Sequence, residues 1–527
     1  MRMTNKIMQN NSLYNINQNK ILQDKLSTQM STQKKLTRPS DDPVVAIRSL
    51  RLRSSVSELT QYSKKNAPDA ESWLKVTEDG LGTVTDILTK LSTNANKGAN
   101  KDLTADDLDI IVTQMRSLTQ EFYSTGNLDY AGRYVFTGYR TDTPMSFTSA
   151  DIANKDEPIP DYDITEQTNL AAFDVVNYTY MGDVKGVNIN NYSTHNEVEQ
   201  TIKNGDIHRL RMAYESLDKD TVPTVTIKVD PEDTSKDISL TPAPVSVALD
   251  NDPDPYKQIQ DANENGDALT VFIPETGELL LSDAVYDAID GNADINEKTE
   301  IQVEYKKLGD SFVNGDLRPE HYFYCENSNG IIYNKDYIDP AVGKQKQIIE
   351  YDVGYNQTIE VNTTADEVFT HNLARDITDL ENALDTLKSI ETTKKDLEKA
   401  LDNLDAGSAT YEADKDQITK LLDSTKKAYT YIRENMHDMM QKAISKTQAY
   451  LDMTNVAVTN NGTRSSRLSL ISNRLTEQKT TFETLKSENE DADIAEVAVE
   501  LTSAELTYES SLMATSKIMQ TTLMNYI

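Results

Sequence analysis

The chain has 527 residues, more than one compact core usually holds, so several domains are expected. Its 86 Asp and Glu against 53 Lys and Arg give a formal net charge of −33, and such a surface repels a nucleic-acid backbone, which argues against nucleic-acid binding. The sequence has no run of 18 apolar residues and begins with a polar segment. We therefore expect neither membrane insertion nor a cleaved secretory signal.

The first 40 residues predict an N-terminal assembly helix, 1–40, with a thin apolar stripe. The stripe positions are spaced first seven and then four residues apart: Ile7, Tyr14, Ile21, Leu22, Leu26 and Met30. The helix is expected to stop before Pro39, because the stretch that follows has the composition of a turn.

Residues 41–145 predict the first half of a helical rod domain that ends in a short β-like stretch. Asp42 can cap a helix, and Pro43 suits the first position of that helix. Pro68 should kink or interrupt it. Another helix is expected to begin at Thr104, where Asp106 and Asp107 supply a negatively charged first turn.

Residues 146–364 predict an acidic, β-rich variable insert. They contain 42 Asp and Glu against 16 Lys and Arg, a charge that we attribute to solvation of an exposed module. The strand candidates are Thr224–Val229, Ala268–Ile273, Thr299–Tyr305 and Gly330–Tyr333. The segment from Asp287 to Glu297 is rich in oxygen ligands but does not match a calcium-binding loop, so a solvated turn is favoured over a cation site.

Residues 365–488 predict the return half of the helical rod, and 489–527 a C-terminal assembly helix. Upstream, Leu468 to Leu485 have coiled-coil spacing. The final stripe is continuous almost to the last residue: Ile494, Val497, Leu501, Ala504, Tyr508, Leu512, Thr515, Met519, Leu523 and Tyr526. The expected fold is mainly α with inserted β, an elongated helical bundle or coiled coil from both chain ends that carries a β-rich outer domain.

The charges of the two chain ends are complementary. Residues 1–65 carry 12 Lys and Arg against 4 Asp and Glu, whereas residues 466–527 carry 5 against 10. We infer that the first and last helices pair with each other, or meet their equivalents in neighbouring copies. The thin stripes bury too little surface to be stable in isolation.

The sequence contains no motif that indicates catalysis, cofactor binding or metal binding. No zinc-protease helix, nucleophile elbow, phosphate-binding loop or dinucleotide fingerprint is present, so we predict no catalytic residues and no cofactor. His321 lies four residues before Cys325, the single cysteine, but neither has further His or Cys partners nearby, and we expect a buried thiol and no metal site.

Motifs at both ends resemble the flagellin family. The stretch Arg38–Val44, which contains Ser40, Asp41, Asp42 and Pro43, is similar to a signature near the start of these proteins. Gly132–Pro144, reading GRYVFTGYRTDTP, resembles the hook-associated junction members more than flagellin proper. Near the C-terminus, Asn461–Arg464, Asn473–Leu475, the DADIAE stretch and the ending LMNYI resemble the family's closing helices. The matching motif positions are Ser40, Asp41, Asp42, Pro43, Gly132, Arg133, Phe136, Gly138, Arg464 and Arg474.

The resemblance implies a secreted structural subunit that leaves the bacterial cytosol through the flagellar type III apparatus. It further implies assembly as a homo-oligomeric ring at the hook–filament junction, with flagellin and the other junction protein as partners and an export chaperone on the C-terminal helix. The stripes assign the assembly interface to Ile7, Tyr14, Ile21, Leu22, Leu26, Ile494, Val497, Leu501, Tyr508, Leu512, Met519, Leu523 and Tyr526. Glu391–Lys420 departs from the family pattern as extra helical sequence.

Three alternatives stay open. The chain could be flagellin itself, which self-polymerisation would reveal. The insert could be an adhesin or glycan-binding module, which ligand affinity of the isolated fragment would reveal. An enzyme in the insert is disfavoured by the absence of catalytic motifs.

Overall fold

The computed structural model describes residues 5–36, 38–230, 236–292, 295, 299–340 and 343–520. They fall into two compact units. The terminal unit comprises the described parts of Met1–Glu71, Tyr351–Ile359 and Ser466–Ile527. The central unit comprises those of Ser72–Glu350 and Glu360–Ser465.

Long helices occupy both ends of the sequence. In chain order the helices are α1 (Asn5–Thr32), α2 (Pro43–Gln61), α3 (Ala67–Gly98), α4 (Ala105–Thr125), α5 (Ser149–Ala153), α6 (Pro255–Asn265), α7 (Asp283–Asp290), α8 (His371–Asp402), α9 (Tyr411–Glu490) and α10 (Ile494–Gln520). No helix of the described ranges is long and apolar enough to cross a membrane.

The strands lie between α4 and α8. They are β1 (Asp129–Tyr130), β2 (Arg133–Tyr134), β3 (Tyr162–Asn169), β4 (Phe173–Tyr180), β5 (Lys203–Arg211), β6 (Thr224–Lys228), β7 (Ile238–Ser239), β8 (Val245–Ser246), β9 (Thr270–Ile273), β10 (Glu278–Leu281), β11 (Glu300–Lys307), β12 (Tyr324–Asn327), β13 (Ile338–Asp339), β14 (Gly343–Lys344), β15 (Glu350–Gly354) and β16 (Gln357–Glu360). The predicted class, mainly α with an inserted β-rich region, is confirmed.

Local capping chemistry sets two helix starts as predicted. The Asp42 carboxylate accepts the backbone N–H groups of Val44 and Val45 at 3.0 and 3.1 Å, and Pro43 opens α2. Thr104 and Asp107 form a reciprocal capping box at the start of α4. Because these contacts lie within four residues, sequence alone is enough to place them.

Pro68 has a milder effect than predicted. The chain stays helical from α2 into α3 through a π-helical turn at Tyr62–Asn66, in which the Ala67 N–H bonds to the carbonyl of Tyr62. Proline lacks an N–H and crowds the preceding turn, and one wider turn accommodates both defects without a break.

The insert is built around two five-stranded sheets in the central unit. Their strand orders are β4-β5-β10-β9-β8 and β12-β3-β11-β6-β7, and among the described strand pairs of these sheets only β8–β9 is parallel. Residues of both sheets share one buried cluster, including Phe272, Leu279, Ile301 and Cys325. The opposite face of the first sheet packs on α6 through Ile259. The insert therefore has a closed core of its own.

Three of the four strand predictions are confirmed by β6, β9 and β11. The fourth, Gly330–Tyr333, is wrong. Only an isolated bridge joins Ile332 to Glu326. The Asn327 side chain accepts the N–H groups of Asn329 and Ile331 at 3.0 and 2.8 Å, which holds this segment as a turn.

Candidate assembly interface

Helices α1 and α10 pair within the terminal unit over a thin contact. Leu26, Val497 and Ala504 form its buried cluster, with Ala492 and Leu501 packed against them. Farther along, Asn19 Nδ2 donates to Ser511 Oγ at 3.1 Å. So small and partly polar a contact gives these helices little stability of their own.

The predicted assembly residues divide between two environments. Leu26 and Val497 are buried at the pairing face, and Leu501 and Tyr508 are half-buried. The remaining described members are exposed in the single chain: Ile7, Tyr14, Ile21, Leu22, Ile494 and Leu512. The Met519 side chain, Leu523 and Tyr526 lie outside the described residues. Their role in an assembly stays a prediction.

Each terminal helix has an apolar stripe that its partner helix leaves uncovered. On α1, Ile7, Tyr14 and Ile21 are 49% to 64% exposed. The outer stripe of α10 consists of Val499, Leu506 and Met513, which are 66% to 71% exposed and also seven residues apart. Helical geometry puts these three on the side opposite Val497 and Ala504. Sequence reasoning missed them because the stronger stripe on α10 faces α1, although their spacing was a visible signal.

A joint connects the linker after α1 with the α9–α10 connection. Lys35 N donates to Glu490 O at 2.7 Å, and Ala492 N donates to Gln33 O at 3.0 Å. Lys34 and Asp491 form a β-bridge and an ion pair. The segment after α1 and the segment before α10 are thus held side by side.

Glu490 is the centre of this joint. Its side chain is 5% exposed, and its carboxylate receives Arg53 Nε at 2.6 Å and Nη2 at 2.8 Å, together with the Ser49 hydroxyl. The hydrogen bond from Arg53 outweighs burial and lowers the pKa of Glu490. The bidentate pair fixes the angle of approach as well as the charge.

The turn before α2 contains the first family motif. Arg38 N donates to Asp41 Oδ2, and Asp41 N donates to Arg38 O, each at 3.0 Å. Ser40 lies inside this turn, which leads into the cap formed by Asp42 and Pro43. The motif therefore sets the direction in which α2 leaves the joint.

The second motif follows α4 in the central unit. Gly132 and Gly138 have φ values of +78° and +61°, and a Cβ on Gly138 would meet Gln347 Oε1 at 2.1 Å. Phe136 is fully buried against Phe369, and the Arg133 guanidinium lies 4.9 Å from the Trp73 ring. This motif is a packing element, which explains its two glycines.

The two arginines near the C-terminus have different partners. Arg464 in the central unit donates to the Asn362 carbonyl at 2.7 Å and pairs with Glu360. Arg474 in the terminal unit donates to Gln357. Each holds part of the segment that contains β15 and β16.

Arginines neutralise a group of carboxylates at the first sheet of the insert. Arg209 binds Asp174 and Glu278 at 2.8 and 2.6 Å, and Arg211 binds Asp376 of α8 at 2.7 Å. Burial alone would raise the pKa of Asp376, yet Arg211 and Lys446 hold it below its usual value. Carboxylates kept ionised in this way fasten the first sheet to α8 and α9 and are poorly suited to proton transfer.

The titratable groups that the sequence singled out are also packed away. Cys325 is buried. His321 is buried, and its Nε2 lies 3.1 Å from the Pro144 carbonyl. In the part of the chain that the structure describes, no three His, Cys, Asp or Glu side chains are grouped to hold a metal ion. Asp287–Asp290 belong to helix α7, so a turn was the wrong prediction for them. Residues 293, 294 and 296–298 lie outside the described part, so the alternatives for the rest of the segment up to Glu297 stay open.

Known proteins match the N-terminal region. Residues 3–141 match the family model for the bacterial flagellin N-terminal helical region. Flagellar hook-associated protein 3 of Salmonella typhimurium is 28% identical over 143 residues, and that of Escherichia coli is 28% identical over 144. Each alignment covers 27% of this chain, and the chain spans about half the length of these relatives, 45% in both cases.

Solved structures are similar to this chain at a lower sequence identity. The flagellar junction protein FlgL from Legionella pneumophila is 11% identical, with 77% of this chain and 99% of that chain covered, but its TM-score of 0.20 supports no structural argument. The family model and the two relatives agree with the motifs at Arg38–Val44 and Gly132–Pro144. The resemblance of this chain to the flagellin family is therefore confirmed, through its N-terminal helical region.

Proposed function

We propose that this chain is a structural subunit of the bacterial flagellum that forms the junction layer between hook and filament. The observation that carries the proposal is the incomplete burial of the terminal helices. They pair through one face, and each keeps exposed an apolar stripe whose members are seven residues apart, Ile7 to Ile21 on α1 and Val499 to Met513 on α10. Stripes of this length on a single chain favour further helix packing between copies.

The two outer stripes support a head-to-tail arrangement. The stripe of α1 lies beside Lys6 and Lys20, whereas α10 contains Glu496, Glu500, Glu505 and Glu509. A basic apolar face that meets an acidic apolar face of the next copy makes a heterologous contact, and repetition of such contacts gives a ring or a helical tube. A homo-oligomeric ring is the form we propose.

A junction role is favoured over the filament role of flagellin by two observations. The Gly132–Pro144 stretch resembles junction members, and the two similar curated proteins are named hook-associated protein 3. We propose flagellin and the other junction protein as axial partners, and export through the flagellar apparatus. A chaperone that covers the outer stripe of α10 before assembly would prevent premature association.

The proposal includes no catalytic activity. Support comes from Asp174, Glu278 and Asp376, which arginines neutralise, and from His321, which burial keeps neutral. The five predicted segments are retained as the functional division: assembly helices at 1–40 and 489–527, rod halves at 41–145 and 365–488, and the variable insert at 146–364.

Electron microscopy of the full chain tests the proposal, under polymerising salt, alone and with flagellin and isolated hook ends. We expect no long filaments from the chain alone, and growth of flagellin from hooks that carry the other junction protein once this chain is added. Long filaments of the chain alone would identify flagellin instead. The double variant Leu501→Asp, Leu512→Asp should not assemble while its insert stays folded; its normal incorporation would refute assembly through the terminal helices.

A further inference from the structure

A short hairpin of the terminal unit presents a single aromatic side chain to solvent. It is formed by β15 and β16, and Tyr355 in its two-residue turn is 90% exposed. Tyrosine is enriched where protein interfaces have their strongest contacts, because it buries a large area at a small entropic cost. An aromatic ring held out on a folded hairpin is able to anchor a contact with another molecule.

The hairpin is firmly seated, so its tip is pre-organised. Val353 and Ile359 are buried. The Asp352 carbonyl accepts Asn66 Nδ2 at 2.8 Å, and the Tyr351 hydroxyl donates to Asp69 at 2.5 Å. Tyr355 is consequently held out from the α2–α3 helical run by a support that loses little freedom on binding.

A complementary surface lies on the outer face of α2. Val44, Ile47 and Leu50 are 54% to 68% exposed, and Arg48 and Arg51 flank them. Within the described residues α2 has no fully buried side chain, and neither of these arginines forms an ion pair there. This α2 patch combines apolar surface with positive charge, the two properties that an aromatic ring beside a carboxylate can satisfy.

The hairpin cannot reach the patch of its own chain. Its base contacts Asn66, and Leu50 precedes Asn66 by 16 residues, which is about 24 Å along a helix. The three residues from Asp352 to the tip extend roughly 10 Å. A gap of more than a side-chain length remains, so the patch of another molecule is the accessible one.

We propose that the Tyr355 hairpin of one copy docks on the α2 patch of the next copy. Tyr355 lies across Ile47 and Leu50, where an arginine can stack on its ring, and Asp352 pairs with Arg48 or Arg51. Residues 351–359 contain one acid and no base, whereas α2 contributes these two arginines, so the charges favour this occupant. The contact is heterologous and agrees with ring formation. It rests on the proposed function, because it needs copies to stand side by side.

Cysteine cross-linking tests the contact in the full chain. The variant Tyr355→Cys, Ile47→Cys is assembled at high concentration in polymerising salt, oxidised and separated without reductant. We expect a ladder of dimers, trimers and larger species, because each copy has one donor and one acceptor site. Tyr355→Cys with Thr480→Cys, an exposed position on α9, is the matched control, and Cys325 is buried in both variants. A ladder no stronger than the control overturns the proposal.

A second measurement separates this contact from the assembly role itself. Tyr355→Ser should weaken self-association roughly 30-fold, the loss typical of an interface tyrosine, with unchanged circular dichroism. If Tyr355→Ser joins hooks and self-associates like wild type, the hairpin contact is wrong and the junction role stands. If wild type itself fails to join hooks, the junction role is wrong. Cross-links formed only to added flagellin would identify a different occupant and overturn the second-copy assignment.

Discussion

The insert and the pair of terminal helices differ in how completely they bury their apolar side chains. The sheets of the insert bury Phe272, Leu279 and Ile301 together in one shared core. The pair formed by α1 and α10 buries a cluster around Leu26, Val497 and Ala504 and fills other positions with groups such as Asn19. The first region encloses most of its apolar side chains, whereas the second leaves part of them exposed. Under the proposed function, the variable insert and the assembly helices can therefore change independently on one chain.

The largest expected effect comes from a change in the closed core. Phe272→Ala should lower the free energy of unfolding of the central unit by about 3–5 kcal/mol, because a buried ring leaves a cavity. Urea denaturation followed by the fluorescence of Trp73, the single tryptophan, measures it in this unit. The matched change on the outer stripe of α10, Val499→Ala, should alter stability by less than about 0.5 kcal/mol. Equal effects would contradict the contrast between the two regions.

Acid should also act on the central unit. Burial lowers the pKa of both His321 and His371 from 6.5 to about 3. Below pH 6.5 the unfolded chain therefore binds more protons than the folded one, and stability falls as the pH drops. At pH 5 the loss is about 2 kcal/mol for each histidine. Urea denaturation followed by the fluorescence of Trp73, at pH 7 and at pH 5, measures this loss of stability. The double variant His321→Gln, His371→Gln should remove most of the difference between the two pH values. An unchanged difference in the variant would contradict a role for these histidines.

The terminal unit should respond at lower pH, through the carboxylates of the joint, of which Glu490 is the most buried. Because the pKa of Glu490 is lowered, its contribution is present above its unfolded value of about 4.5 and is lost as the pH falls through the folded value. Glu490→Gln should cost about 1–2 kcal/mol in the joint at pH 7. Hydrogen exchange of the Lys35 and Ala492 amides measures this loss of stability, because both amides donate hydrogen bonds across the joint. Glu488→Gln, whose carboxylate is exposed, is the control, and equal exchange in both variants would argue against a role for the Arg53 pair.

The same contrast explains which parts of the fold could be predicted. The helix starts at Pro43 and Ala105 depend on neighbours along the chain and were predictable. The joint between Lys34 and Asp491 was not, because those residues are far apart in sequence and meet through backbone groups that any residue has. The π-helical turn before Pro68 depends on how a crowded helix relaxes. For the proposed assembly surface, the sequence identified Ile7, Tyr14 and Ile21 as a stripe but could not tell which face of α1 meets α10.

The smallest expected change in stability tests which face of α10 packs on α1 and which face is left for another copy. Leu506→Ser on the outer stripe should leave helix content and thermal unfolding unchanged, because Leu506 is two-thirds exposed in the single chain, and yet it should weaken assembly. Leu26→Ala removes the best-buried side chain of α1 and should loosen the helix pair by about 1–2 kcal/mol, seen as faster hydrogen exchange in α1. A stable but non-assembling Leu506→Ser would show that the inner face holds the pair together and the outer face joins copies. A loss of α1 protection in Leu506→Ser would mean that the two faces act together and that α10 has no separate surface for a neighbour.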